Sequence, residues 1–208
     1  MKIAKDAFVF VIPLLVVVAG LWFVGLRVPA LVFLLITLFI LYFFRDPERR
    51  IPDDPLLVVS PADGKVMEVE PAQVNGVSHT RVGIFLSVFD VHINRAPIAG
   101  VVKSRHYQKG KFEAAYSKSA SLNNEQNRLV IAGKEAVVEV VQIAGLIARR
   151  IVCYKKEGEA VSRGERIGLI RFGSKTDCLF PTDAEVLVRK GDRVRGAASP
   201  IARLRPHA

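Results

Sequence analysis

The chain has 208 residues, half of them hydrophobic, and a mean hydropathy of +0.28. Lys and Arg number 30 against 20 Asp and Glu, a formal charge of +10. Two cysteines without CxxC spacing and four histidines without HxxH or HExxH spacing give no support to a metal centre. The aromatics are gathered largely in the apolar N-terminus and no nucleic-acid motif is present, so the basic charge points to an anionic lipid surface before nucleic acid.

Residues 7–24 and 28–44 carry no charge. Helices of that length rise roughly 26 Å, enough to cross a hydrocarbon core. The connector is only Gly25-Leu26-Arg27, so residues 1–50 read as a membrane-anchoring hydrophobic helical hairpin, with Pro13 and Pro29 as places for a kink. Lys2 and Lys5 precede the first span and Arg45, Arg49 and Arg50 follow the second, against Arg27 alone in the connector. The positive-inside rule then puts both ends, and the domain that follows, on the cytoplasmic side of the cell membrane. A cleaved signal peptide fits less well, because the second apolar run follows at once.

Residues 51–208 are predicted to be a β-rich domain of ordinary size. Runs rich in β-branched residues recur between Gly, Pro, Asn and Asp turns, at 56–60, 65–70, 81–89, 100–107, 128–132, 136–143, 148–154, 166–172 and 185–189. The polar stretch 109–127 reads as a loop. The phrase Gly158-Glu159-Ala160-Val161, then Gly164, is echoed by Gly191-Asp192-Arg193-Val194, then Gly196. Lipoyl and biotinyl carrier domains use such hairpins. The expected fold is therefore mainly β and barrel-sandwich-like. Cys153 and Cys178 read as buried, reduced thiols.

Within Arg171-Phe172-Gly173-Ser174-Lys175-Thr176-Asp177, the pair Gly173-Ser174 closes an apolar strand. Alone it is an ordinary turn pair. It can also do more. The serine hydroxyl can attack the carbonyl before it and convert amide to ester, and glycine, without a Cβ, leaves that carbonyl uncrowded. Elimination then cuts the chain and leaves a pyruvoyl ketone.

Three further phrases accompany it. Pro61-Ala62-Asp63-Gly64 sets a carboxylate in a turn. Leu86-Ser87-Val88-Phe89-Asp90-Val91-His92-Ile93-Asn94-Arg95-Ala96-Pro97 sets a histidine just past an apolar strand. Asn124-Glu125-Gln126-Asn127 is a polar cluster before another strand. In this order, from about Asp46 to Ile201, the phrases resemble the phosphatidylserine decarboxylase family in its short, membrane-anchored form.

The resemblance implies a zymogen that cuts itself between Gly173 and Ser174, giving a β chain (1–173) and an α chain (174–208) that remain associated. It implies a covalent pyruvoyl cofactor made from Ser174, and no metal. It implies phosphatidylserine as substrate, held through a Schiff base, and phosphatidylethanolamine and CO₂ as products of phospholipid biosynthesis. His92 is the candidate acid–base group, imidazole titrating nearest neutrality. Asp63 is the candidate orienting acid by family position. One departure stands out. Longer members carry a second histidine three positions after the first, where this chain has Arg95. Either His92 serves both steps, or a residue such as His79 or His106 takes the missing role. Arg95 can instead bind a substrate carboxylate or phosphate, for which guanidinium is well shaped. Lys103, Arg105, Lys109 and Lys111 can steer anionic lipid. Two rival readings are a non-catalytic membrane-anchored adaptor with a lipoyl-like barrel-sandwich domain and a serine hydrolase pairing Ser174 with Lys175. The second is disfavoured, because adjacent side chains on a strand point apart.

Overall fold

The computed structural model describes residues 2–74, 76–110, 124–145, 150–171 and 174–206. Gly173 and Lys111, most of the expected 109–127 loop and the start of the expected 148–154 strand lie outside the described residues. The chain divides into two compact units, Met1–Glu48 and Arg49–Ala208.

The first unit is a helical hairpin. Helix α1 (Phe8–Phe23) and helix α2 (Arg27–Phe43) are joined by a turn in which Gly25 adopts φ +82°. That turn is closed by Gly25 N–H to Trp22 O and Leu26 N–H to Leu21 O. Val11, Ala30, Ile40 and Phe43 are buried, while most of the large apolar side chains face outward. An apolar surface of this kind is stable only against lipid or another apolar partner. With its preceding turn, α1 forms a 19-residue stretch, Lys5–Phe23, long and apolar enough to cross a membrane, whereas α2 is shorter. The hairpin is closed at its base. Lys2–Ile3 pairs with Arg45–Asp46, Ala4 N–H donates to Phe44 O (2.9 Å), and the Phe10 ring stacks on Phe44 at 5.9 Å.

The second unit is built on an eight-stranded antiparallel sheet. In spatial order its strands are Ala160–Val161, Gly100–Gln108, Gln126–Ala132, Val137–Ala144, Ser174–Pro181, Val77–Leu86, Gly64–Val74 and Arg193–Val194. Two three-stranded sheets pack with it. One orders Ile151–Cys153, Arg166–Ile170 and Ile93–Arg95; the other orders Glu185–Val186, Pro200–Arg203 and Leu57–Val59. The two echoed glycine phrases form the two edge strands of the large sheet. Each edge is only two residues long, which limits pairing with other chains.

Alternation fixes the core. Val66, Val82, Ile84, Leu86, Leu129, Ile131, Val138, Val140, Cys178 and Phe180 are all fully buried in one cluster. On the Ser174–Pro181 strand, Cys178 and Phe180 belong to this core, so Ser174 and Thr176 share its face and Lys175 and Asp177 take the other. The sequence reading missed this strand, because it places two charged residues where a strand pattern wants apolar ones. The structure shows how they are accommodated. Lys175 Nζ lies 2.6 Å from Glu68 Oε2 and 3.3 Å from Asp177 Oδ1, and Arg81 reaches Glu68, Glu70 and Asp177. Gly83 makes the room, since a Cβ there would stand 2.9 Å from Lys175 Cε and 3.1 Å from Asp177 Oδ1. Cys178 is fully buried and its thiol is pushed far up by desolvation, whereas Cys153 is only half-buried, with Sγ donating to Lys155 O.

Three carboxylates here face two cations, so one acid is in excess. Burial raises the Asp177 carboxyl above its ordinary value of 3.8, against the pull of Lys175 and Arg81. A raised folded-state value means that the group's stabilising contribution is present below the ordinary value and is lost as pH rises through the folded one. The thermal midpoint should therefore contain a component that falls as pH rises above the ordinary carboxyl value of 3.8. In Asp177→Asn that component should be absent, leaving a flatter profile by circular dichroism.

Candidate active site

Ser174 opens its strand in the middle of the large sheet. It pairs with Leu86 on one side and Ala144 on the other and is fully buried. Among the described residues its Oγ has no hydrogen-bond partner. A buried hydroxyl without a partner is destabilising, and such a group marks a site with another use.

The chain beyond Leu86 turns sharply to return over this point. Asp90 Oδ2 accepts from Ser87 N–H (2.9 Å) and Ser87 Oγ–H (2.6 Å), and Asp90 Oδ1 lies 3.3 Å from Arg193 Nη1. The expected strand 81–89 ends at Leu86 for this reason. The turn delivers His92, which is buried, with Nδ1 3.0 Å from the Asp90 carbonyl oxygen. A carbonyl only accepts, so Nδ1 carries a proton, and in the neutral form of the ring the lone pair is on Nε2. The His92 segment is tied to the Ser174 segment on both sides. Ile170 N–H donates to His92 O (3.3 Å), and Asn94 Nδ2 donates to Thr176 Oγ1 (3.0 Å). Ile170 and Thr176 flank Ser174 in sequence.

The other histidines lie elsewhere. His79 pairs with Pro181, seven residues along the strand from Ser174, or about 23 Å. His106 is exposed, on a strand three places away, about 14 Å across the sheet. His207 lies outside the described residues.

Asp63 occupies the turn into Gly64–Val74. Gly64 is required there, because a Cβ would stand 2.1 Å from Phe85 O. The described partners of the Asp63 carboxylate are Arg49 Nη2 (2.7 and 3.0 Å) and Gly196 N–H (2.8 Å). The turn is joined to the histidine segment, since Arg95 N–H donates to Pro61 O (2.9 Å). The Arg95 side chain is buried, with Nη1 donating to Gly164 O (3.0 Å). The polar phrase at 124–127 also meets the site. Asn124 Nδ2 donates to Ala144 O (2.7 Å), and Ala144 N–H donates to Glu125 O (3.0 Å), directly beside the residue that pairs with Ser174. Burial and the bond to Glu125 push the Tyr107 phenol up. Lys175, on the opposite face and engaged by Glu68, is not placed to serve Ser174 as a base.

The sequence reading missed Gln142 and gave Thr176 and Asn127 no role of their own beyond the phrases that hold them; all three are fully buried on the face of Ser174. One signal was available: Gln142 falls in phase with the buried apolar positions Val138 and Val140 of its strand. Among the described residues, no three His, Cys, Asp or Glu side chains are grouped to hold a metal ion.

The family model described as phosphatidylserine decarboxylase matches residues 36–202. The chain belongs to the phosphatidylserine decarboxylase family. This places it among carboxy-lyases and sets the adaptor reading aside. Phosphatidylserine decarboxylase proenzymes are similar over most of their length. That of Solibacter usitatus is 52% identical over 84% of this chain and 83% of its own, and that of Trichlorobacter lovleyi is 49% identical over 87% and 84%. That of Geobacter metallireducens is 44% identical over 92% and 91%. The Asp63 turn, the His92 segment and Ser174 all fall inside the matched region.

The Arg49–Asp63 pair is largely buried, and its side chains are 11% and 15% exposed. Arg49→Met leaves the carboxylate with Gly196 N–H as its one described partner. It is expected to destabilise the second unit by about 2 kcal/mol, less than a fully buried pair would lose. Thermal melts of the full chain in detergent measure this.

Proposed function

We propose that the chain decarboxylates phosphatidylserine to phosphatidylethanolamine and CO₂, using a pyruvoyl group that it makes from Ser174 by cutting itself after Gly173. The observation that carries the reading is the buried Ser174 Oγ, without a hydrogen-bond partner among the described residues, at a strand start flanked by the anchored His92 segment. The residues present fit such a group, since no described side chain engages the hydroxyl and Ser174 is fully buried.

His92 Nε2, left unprotonated by the bond of Nδ1 to Asp90 O, is the base for the Ser174 hydroxyl. The serine oxygen bonds to the Gly173 carbonyl carbon as the carbon–nitrogen bond breaks, and the proton passes through His92 to the freed amine. Loss of the Ser174 α-proton expels the Gly173 carboxylate. Addition of water then releases ammonia and leaves the ketone. Once formed, the pyruvoyl group supplies an electron sink for the pair released with CO₂. His92 holds the proton for the carbon left behind. It serves both steps, since neither His79 nor His106 is beside Ser174. Asp63 supports the serine–histidine pair indirectly. Held by Arg49 and Gly196 N–H, it fixes the turn that Pro61 ties to the His92 segment, while the Asp90 carbonyl orients the ring itself. Arg95 is the ligand of the substrate's anionic groups, for which a guanidinium is well shaped.

The hairpin suits a substrate whose acyl chains stay in the bilayer. Tethering avoids extracting them, at about 0.8 kcal/mol per CH₂ exposed. By the basic flanks the catalytic unit works on the cytoplasmic side of the cell membrane, where exposed Lys103 and Lys109 favour anionic lipid.

Intact mass of the purified chain should show two polypeptides, 1–173 and 174–208, the second with a blocked N-terminus that reacts with borohydride. Ser174→Ala should give one uncut chain, and continued cleavage in that variant rules out Ser174 as nucleophile. His92→Ala should lose decarboxylation by at least about a hundredfold; full turnover by it removes His92 from the reaction.

A further inference from the structure

Asn127, Gln142 and Thr176 stand opposite one another on three neighbouring strands, and Asn94 joins them from the His92 segment. All four are fully buried. Their hydrogen bonds run one way. Arg105 Nε–H donates to Asn127 Oδ1 (3.2 Å), Asn127 Nδ2 to Gln142 Oε1 (2.8 Å), Gln142 Nε2 to Asn94 Oδ1 (2.8 Å), and Asn94 Nδ2 to Thr176 Oγ1 (3.0 Å). Gly168 gives the relay its space, because a Cβ there would stand 3.0 Å from Gln142 Nε2.

An amide can be turned end for end with no change of shape, so the relay's direction needs a cause. Its ends supply one. Guanidinium only donates, which obliges Asn127 to present oxygen to Arg105 and nitrogen to Gln142, and each later amide follows suit. At the other end the Pro61 carbonyl, 3.5 Å from Asn94 Nδ2, only accepts and agrees with that direction. Apolar side chains would fill the same core without the desolvation of four polar ones. The relay ends on the segment that carries His92, two residues from Asn94, and on Thr176, two residues from Ser174.

We propose that Arg105 is a positioning residue, which from the protein surface fixes the polarity of a buried amide relay through Asn127, Gln142 and Asn94 that holds His92 against Ser174. The proposal rests on the roles given above to Ser174 and His92. It also separates Arg105 from its basic neighbours. Its charge is exposed, but its Nε–H is committed to the interior.

The test uses the full chain in uncharged detergent micelles, where attraction to anionic lipid plays no part. Arg105→Gln keeps a polar side chain of similar reach but can present either oxygen or nitrogen to Asn127. It should slow self-cleavage about fivefold, the equivalent of one neutral hydrogen bond, with an unchanged thermal midpoint. Arg105→Lys, again only a donor, should restore the rate to within about twofold of the parent. In uncut Ser174→Ala chain labelled at histidine Cε1, Arg105→Gln should shift or broaden the His92 resonance, and Arg105→Lys should not. Added to Gln142→Met, which breaks the relay at its centre, Arg105→Gln should slow cleavage no further. Parental cleavage and an unmoved His92 resonance in Arg105→Gln would overturn the proposal. So would an effect confined to turnover on anionic vesicles, or additive effects with Gln142→Met. The surface pair decides the matter even if Gln142→Met does not fold. A parent chain that never cleaves would overturn the reading of Ser174 instead, and the His92 resonance would still decide the relay.

Discussion

The pairing of the Ser174–Pro181 strand on both of its edges is the constraint on which the rest of the molecule depends. The strand lies between Val77–Leu86 and Val137–Ala144 with continuous ladders on each side. A residue at the head of such a strand has a main chain that cannot drift. The segment Arg166–Ile170 is fixed as well, since it pairs with both Ile151–Cys153 and Ile93–Arg95. A cut between these elements would free two chain ends and displace neither. The smaller piece would also keep Pro200–Arg203 on Leu57–Val59 and Arg193–Val194 on Gly64–Lys65, so association after processing needs no new contact.

Each face of that strand carries polar groups, and each solves their burial differently. The Lys175 face gathers full charges into a compact group with one acid in excess. The Ser174 face uses neutral amides arranged head to tail. Full charges beside a hydroxyl would bias its protonation, whereas amides orient without adding net charge. Ser174 itself is left out of both sets.

Much of this was legible in the sequence. The two uncharged runs gave the hairpin, and alternation with turn residues gave most strands of the large sheet. His92 and Ser174 could be singled out because their phrases, in that order, resemble those of the family. The Ser174–Pro181 strand itself was hidden, since Lys175 and Asp177 break the expected pattern and only Glu68 and Arg81, roughly a hundred residues away, make their burial tolerable. The pairing of Asn94 with Thr176 was equally out of reach, because nothing local to either residue names the other. For Asp63, the turn was readable but its partners, Arg49 and Gly196, were not.

The chain's single tryptophan, Trp22, lies beside the turn of the hairpin, with the Arg27 guanidinium 5.9 Å from its ring. Its fluorescence therefore reports on the helical hairpin that holds it. Emission colour and quenching register the polarity around the helix ends, a reading of this unit that no tryptophan of the β unit overlays.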